Sequence, residues 1–403
     1  MKLSDLRRRR VSGSLQVLRP SIEALMKLKS LGRLAPVLLV SFLLFNFKAH
    51  GQTDTNWRVE VVDSGGGKKA GAFSSLAIDR VGNIHLVYTD FAAGALKYAF
   101  REKGENHWDK ATVDDTGGSF ESIAVDSNGW PHVAYNSPKQ TGLRYARWNG
   151  KQWDKFVIDA AKTSHQVSIQ LDSHNDPRIS YYQELFSDGR AARSLKYAYF
   201  DGVTWYVQTV DHRTGTGACN SLALDREDHP HISYSMSSGF LGFASQNQTG
   251  WNRSLADFID AKGKRTLDGD NSLAIGADGE PRIAYINTTD RTVNFSRQDK
   301  DGWHQEVIDS VVATGADADR VALKLDRNGL PQVIYYDSGL GSLKYAFRDQ
   351  KGWHTETIDN GNGGQFASLS LNEDFEPYVS YYTTGGSELR LAHRLPFNAA
   401  PKQ

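Results

Sequence analysis

A tyrosine closing a short β-type segment recurs seven times in this chain of 403 residues, at Tyr88, Tyr135, Tyr181, Tyr234, Tyr285, Tyr335 and Tyr381. The intervals are 47, 46, 53, 51, 50 and 46 residues, and so regular a period restricts the fold to an array of stacked or radially arranged units. Each unit holds four short alternating segments bounded by Gly, Asn, Asp and Pro. The first ends at Asp79, Asp126, Asp172, Asp225 or Asp326, with Gly276 and Asn372 in the other two units. The third opens at Leu96, Leu143, Leu195, Leu241, Val293, Leu343 and Leu389. The fourth runs from a tryptophan to an aspartate: Trp108–Asp114, Trp153–Asp159, Trp205–Asp211, Trp303–Asp309, Trp353–Asp359, and a stretched Trp251–Asp260. Four strands per unit, repeated radially, make the blades of a propeller. The expected fold is all-β, a seven-bladed β-propeller with four antiparallel strands per blade.

The ends of the chain predict how the ring closes. The seventh unit stops at Arg394 without a tryptophan segment, and the missing piece stands at the other end as Trp57-Arg-Val-Glu-Val-Val-Asp63. Pairing the two removes the last sheet edge, whereas an open solenoid needs polar caps. Seven of the nine tryptophans serve this one outer-strand position, which marks them as core rather than as platforms for a ligand.

Charge separates the N-terminus from the rest. Residues 1–51 carry ten Lys/Arg against two acidic groups, so subtraction from 47 and 47 leaves 37 basic and 45 acidic residues, a net of −8. That sign disfavours a phosphate backbone, and no nucleic-acid partner is expected. Lys27 and Lys29 precede the apolar run from Leu34 to Phe47, and Ala49-His50-Gly51 places small residues before a cut at Gln52. This is the layout of an export signal, with Met26 as an alternative start, and the run falls short of the ~20 residues of a membrane span. The expected organisation is a signal region at 1–51, a propeller at 52–396 and a tail at 397–403. The mature chain is expected to be secreted or periplasmic, monomeric and without a transmembrane segment. The single Cys219 excludes an intramolecular disulfide.

Antiparallel order divides the links between two faces. First-to-second and third-to-fourth links are short and alike, and read as scaffold. Second-to-third and blade-to-blade links vary, and blade 3 runs 14 positions from its tyrosine to the start of the next strand where most blades run 8. Functional groups concentrate on such loops. This face carries Tyr182, Tyr336 and Tyr382 after the repeat tyrosine, with Asp90, Glu184, Asp337, Asp290 and Arg291 nearby and Arg190 and Arg193 in the insertion. Blade-to-blade links add His165, His212, Arg213, Lys264, Arg265, Asp268, Asp270 and Arg320. Aromatics among carboxylates and arginines suit sugars, so ligand-binding roles are expected for Tyr182, Glu184, Tyr336, Asp337, Tyr382, Asp90 and Arg291. On the scaffold side, His85, His132, Arg178, His231, Arg282, Gln332 and Tyr378 form a ring whose repetition points to structure, while Gln170 and Lys324 stand mid-strand where other inner strands have Ala or Ser, and a lysine there must reach a channel or a partner. Asp268-Gly-Asp270 and Asp317-Ala-Asp319 offer oxygen ligands of the calcium type, yet neither completes a loop motif, and no cofactor or metal is expected.

At the third-to-fourth links, Asp201-Gly202-Val-Thr-Trp205 and Asn149-Gly150-Lys-Gln-Trp153 resemble the turn of the Asp-box (BNR) propellers, which include sialidases. The leading serine is missing, and blades 4 to 6 keep only Gly250-Trp251, Gly302-Trp303 and Gly352-Trp353. The chain is also similar to seven-bladed propeller lectins, over all seven units. A sialidase-like relative implies a tyrosine nucleophile with a glutamate, such as Tyr182 and Glu184, and three arginines drawn from Arg190, Arg193, Arg213, Arg265, Arg291 and Arg320. A polysaccharide lyase implies His165 or His212 as base. Three functions follow as alternatives: a lectin-like propeller binding extracellular glycan, a glycoside hydrolase or lyase on the same face, and a protein-interaction platform.

Overall fold

The computed structural model describes residues 56–67, 70–137, 139, 142–160, 163–187, 190–213, 215–236, 239–256, 270–311, 320–361, 363–383 and 387–395, with backbone alone at 163–165, 186–187 and 190–191. The signal region, the C-terminal tail, Asp260, Lys264, Arg265, Asp268, Asp317 and Asp319 lie outside these residues, as do the side chains of His165 and Arg190.

Among the described residues twenty-eight strands form seven sheets of four, and the seven-bladed expectation is met. Blades 1 to 6 each take four consecutive strands, for example Ser119–Val125, Pro131–Asn136, Leu143–Trp148 and Trp153–Asp159 in blade 2. Blade 7 takes Gly363–Leu371, Pro377–Thr383 and Glu388–Arg394, and its outer strand is Trp57–Asp63. Trp57 pairs with Arg394, Arg58 with His393 and Val59 with Ala392.

Three recurring contacts hold the blades together, and they explain why the repeat carries the residues it does. The repeat tyrosines are all fully buried. Among the described residues six of their hydroxyls donate to the aspartate that ends the outer strand of the preceding blade: Tyr88 to Asp63, Tyr135 to Asp114, Tyr181 to Asp159, Tyr234 to Asp211, Tyr335 to Asp309 and Tyr381 to Asp359, at 2.5 to 2.9 Å. The outer-strand tryptophans make the second contact. Trp57, Trp153, Trp205, Trp251, Trp303 and Trp353 meet Tyr345, Tyr98, Tyr145, Tyr197, Phe243 and Phe295 of the preceding blade edge to face, with centroids 5.2 to 5.4 Å apart. That geometry suits the ring quadrupole, and the tryptophans are core, as their repetition implied.

A ring of serines makes the third contact. The Oγ of Ser75, Ser122, Ser168, Ser221, Ser272 and Ser368 accepts a backbone N–H from the next blade, that of Ile123, Ile169, Leu222, Leu273, Leu323 and Leu76 respectively, at 3.0 to 3.2 Å. The seventh position is Ala322. Ala322→Ser is expected to complete the ring and to raise stability by about 0.5–1.5 kcal/mol, measured by denaturant unfolding. No gain, or a loss, would show that the seam between blades 6 and 7 has no room for the hydroxyl.

The scaffold ring is structural, as expected. His85, His132 and His231 face Asp79, Asp126 and Asp225 at 3.4, 3.7 and 3.1 Å, and Arg178 pairs with Asp172. Those aspartates also cap their own turns, as where Asp126 Oδ1 accepts N–H groups from Asn128 and Trp130. In blade 5 the aspartate is Gly276, and the Arg282–Asp278 pair fills the space a Cβ would need.

Candidate functional site

The first residues of the innermost strands converge on the propeller axis, at the end where the blade-to-blade links arrive. They enclose a mostly polar depression of about 160 Å³. Three adjacent blades share a local motif there: Gly364-Gln-Phe366-Ala-Ser368 in blade 7, Gly71-Ala-Phe73-Ser-Ser75 in blade 1 and Gly118-Ser-Phe120-Glu-Ser122 in blade 2. Each phenylalanine has a positive φ of 53° or 54°, a conformation bulky residues rarely adopt. In each case the strand register shifts across the phenylalanine, so it occupies a bulge that re-aims its side chain. The glycine two residues earlier permits the close approach. A Cβ on Gly71 would lie 2.6 Å from Leu389, and one on Gly364 would lie 2.6 Å from Tyr336. The three rings gather, Phe73 lying 4.4 Å from Phe120 and 4.3 Å from Phe366 between centroids. Phe91, half exposed on the second-to-third loop of blade 1, extends the cluster outward at 6.1 Å from Phe73. Tyr382 joins it at 6.5 Å from Phe366.

The remaining blades place polar groups at the same level. Gln166 of blade 3 donates from Nε2 to Asp270 Oδ1 of blade 5 at 2.7 Å. Asp270 also accepts the Val321 N–H at 3.0 Å and stands 3.8 Å from the Arg320 guanidinium. Arg320 lies 6.0 Å from the Phe120 ring, so it reaches from blade 6 toward blade 2. Burial pushes the Asp270 carboxyl above its ordinary range, against the opposing pull of Arg320 and the backbone N–H groups. Gln166 Oε1 is buried and has no partner.

Glu121, beside Phe120, is buried against blade 1. Burial pushes its carboxyl up to about 8, despite hydrogen bonding to Thr89 and the charge of Arg320. The geometry agrees. Thr89 Oγ1 lies 2.7 Å from the Gly118 carbonyl and 3.1 Å from Glu121 Oε1. The hydroxyl has one proton and the carbonyl only accepts, so a neutral Glu121 donating to Thr89 completes the chain.

Most of the loop residues expected to bind a ligand are engaged in building turns or pairs. Asp90 Oδ1 accepts the Ala92 and Ala93 N–H groups at 3.0 Å, and Asp337 is buried, holding Leu340 N–H and facing Lys344. Arg291 occupies a positive-φ turn position with its side chain exposed. Tyr182, Tyr336 and Tyr382 are 4 to 6% exposed, so none offers a ring face to solvent as a stacking platform. These residues come from five different blades and do not assemble into one site, because the second-to-third links spread around the rim. Two local groupings do form. Glu184 accepts from Arg193 Nε at 2.8 Å beside Tyr182, and burial raises the Tyr182 hydroxyl pKa, the opposite of what a phenolate nucleophile needs. His212 and Arg213 line a rim cleft with Arg253, and Arg213 is held on Asp211. Arg193, Arg213 and Arg320 thus each contact a different carboxylate rather than sharing one bound anion. Asp270 spends its oxygens on Gln166 and Val321, and on the scaffold face the trio Asp225, Glu227 and His229 is a turn in which Asp225 already accepts both neighbours' N–H groups.

Sequence reading named Asp270, Arg320 and Tyr382 but missed Phe73, Phe120, Glu121, Gln166 and Phe366. The Gly-x-Phe-x-Ser recurrence in three blades was the available signal. Lys324 is the exposed position of its inner strand.

No described protein family and no curated protein matches this sequence. Among solved structures the chain is similar to the Aleuria aurantia lectin in complex with a fucosylated disaccharide, with 14% identity, a TM-score of 0.50, and coverage of 72% of this chain and 96% of that one. It is similar to AofleA from Arthrobotrys oligospora at 15% identity and a TM-score of 0.50, covering 75% and 89%. The NanB sialidase from Streptococcus pneumoniae aligns at 13% identity and a TM-score of 0.46, covering 82% and 69%. The first of these lectins is described as six-bladed, one blade fewer than here. The likeness to the two lectins shows the propeller fold that the sequence predicted.

Proposed function

We propose that the protein is an exported, monomeric carbohydrate-binding propeller whose ligand seats a terminal sugar in the axial depression. One observation carries this: three bulged phenylalanines stand against a buried Gln166–Asp270–Arg320 network across a single small opening. A sugar has an apolar face and a rim of hydroxyls, which matches an aromatic half and a hydrogen-bonding half. The unpartnered Gln166 Oε1 accepts a hydroxyl, and Arg320 supplies a charged donor. At about 160 Å³ the depression is well below the ~300–1,000 Å³ of drug-sized pockets, so only one ring enters. Phe91 gives the next residue of the glycan an exposed surface. The lectins of like fold are described as binding fucose, which makes fucosylated glycans the first to test. Export through residues 1–51 places the protein where such glycans occur.

Glycan-array screening followed by calorimetry tests the reading. Arg320→Ala is expected to weaken the best ligand at least tenfold, because it removes a charge-assisted donor worth about 1.5–3 kcal/mol. Undiminished affinity in that variant would move the site elsewhere, and a blank array would remove carbohydrate as the ligand class.

A further inference from the structure

Seven tryptophans stand at or beside the first residue of an outer strand, and the remaining two, Trp130 and Trp148, both belong to blade 2 and meet in one place. With Tyr98, Phe100, Ala111 and Trp153 they line an apolar cavity of about 320 Å³ between blades 1 and 2, at the scaffold face opposite the axial depression.

Four of the six other seams carry a polar pair here, and the seam between blades 2 and 3 carries Phe200 and Phe156 instead. At the equivalent place, Arg394 pairs with Glu356, Arg348 with Glu306 and Arg101 with Glu60, while Gln246 bonds Gln208. Glu356, Glu306 and Gln208 also accept the indole N–H of Trp57, Trp353 and Trp251 at 3.0, 3.1 and 3.0 Å. Between blades 1 and 2 the arginine position is Trp148 and the carboxylate position is Ala111. The polar pair has become an aromatic wall and a vacancy. Trp153 Nε1 is left buried without an acceptor. The N–H groups of Trp108 and Trp303 also lack acceptors, but no additional tryptophans stand beside them. Trp153 is fixed edge-on to Trp148 at 5.7 Å and to Tyr98 at 5.3 Å. His85 beneath is occupied on both ring nitrogens, by Tyr98 OH at 2.7 Å and toward Asp79 at 3.4 Å.

We propose that this cavity binds a flat, neutral, ring-shaped small molecule bearing one carbonyl-type oxygen. The ring covers the aromatic walls, and the oxygen takes the Trp153 N–H in the role that Glu356 and Glu306 fill elsewhere. The cavity volume falls in the ordinary range for small ligands. A sugar is a poor occupant, since its hydroxyls would lose water against walls that return a single hydrogen bond. Asp109 and Lys110 at the rim carry opposite charges side by side and impose no net charge on the ligand.

Coumarin, a fused planar lactone, is the probe, followed by saturation-transfer NMR and calorimetry on the mature chain. The wild type is expected to bind it. The double variant Ala111→Glu/Trp148→Arg rebuilds the pair found at three other seams. It is expected to melt no lower than the parent and to bind coumarin at least tenfold more weakly. A wild type that gives no coumarin signal overturns the proposal, as does a folded double variant that binds undiminished. Displacement of coumarin by methyl α-glucoside would overturn the ligand class. Because these residues lie away from the axis, loss of glycan binding in Arg320→Ala leaves the outcome here unchanged.

Discussion

Trp57→Ala is expected to cost about 3–5 kcal/mol of folding stability, in the range for truncating a buried tryptophan. The residue is 6% exposed and packs edge-on to Tyr345 of blade 6. Its indole N–H donates to Glu356 Oε2 at 3.0 Å, so truncation also removes a donor from a carboxylate that Arg394 shares. Its strand is the only partner of Glu388–Arg394 on that side, and losing it leaves an unpaired edge, the feature that promotes aggregation. Val61→Ala, on the same strand but 47% exposed, is the control and should change little. Guanidinium unfolding measures both. If Trp57→Ala stayed within about 1 kcal/mol of the parent, closure through this strand would not be what secures blade 7.

Glu121→Gln is expected to remove a pH dependence rather than simply to weaken the fold. Folding raises the Glu121 pKa from an ordinary 4.5 to about 8, chiefly through burial. The group therefore contributes its full stability below about pH 4.5, and that contribution is lost as pH rises toward 8, because the unfolded chain gives up its proton first. Glutamine keeps the shape and stays neutral, and its amide can donate to Thr89 as the protonated acid does. The variant should melt near the parent at pH 5 and several degrees above it at pH 8.5. Thermal melts across that interval decide the matter. A gap that does not widen with pH would mean that Glu121 is ionised in the native state.

The architecture was legible because each seam repeats the same solution. A tyrosine, an aspartate and a tryptophan at constant spacing are the visible parts of one hydrogen bond and one ring contact made over and over. The closing strand was readable for the same reason, as a segment missing at one end and present at the other. The axial depression was harder. Its groups sit at one level of the inner strands but differ in every blade, and Phe73, Phe120 and Phe366 reach the axis only through bulges, which break the alternation that sequence reading relies on. Tyr182 and Tyr336 misled for a related reason. Their place after the repeat tyrosine put them on loops, whereas the strands run on through them and bury them. Trp130 and Trp148 escaped notice because a tryptophan in this chain is so often core.

The pairing of Trp57 with Arg394 spans 394 − 57 = 337 positions of chain. Contacts of such separation form late, since the whole intervening loop must be closed first. A chain emerging in order from ribosome or membrane can build blades 1 to 6 as it appears, but its earliest strand must wait, unpaired, for the final one. The interval between those events is when the protein is most open to a protease or to a second copy of itself. A circular permutant that joins Trp57–Asp63 to Arg394 through a short hairpin turn would abolish the wait while keeping the strand pairing of the finished ring.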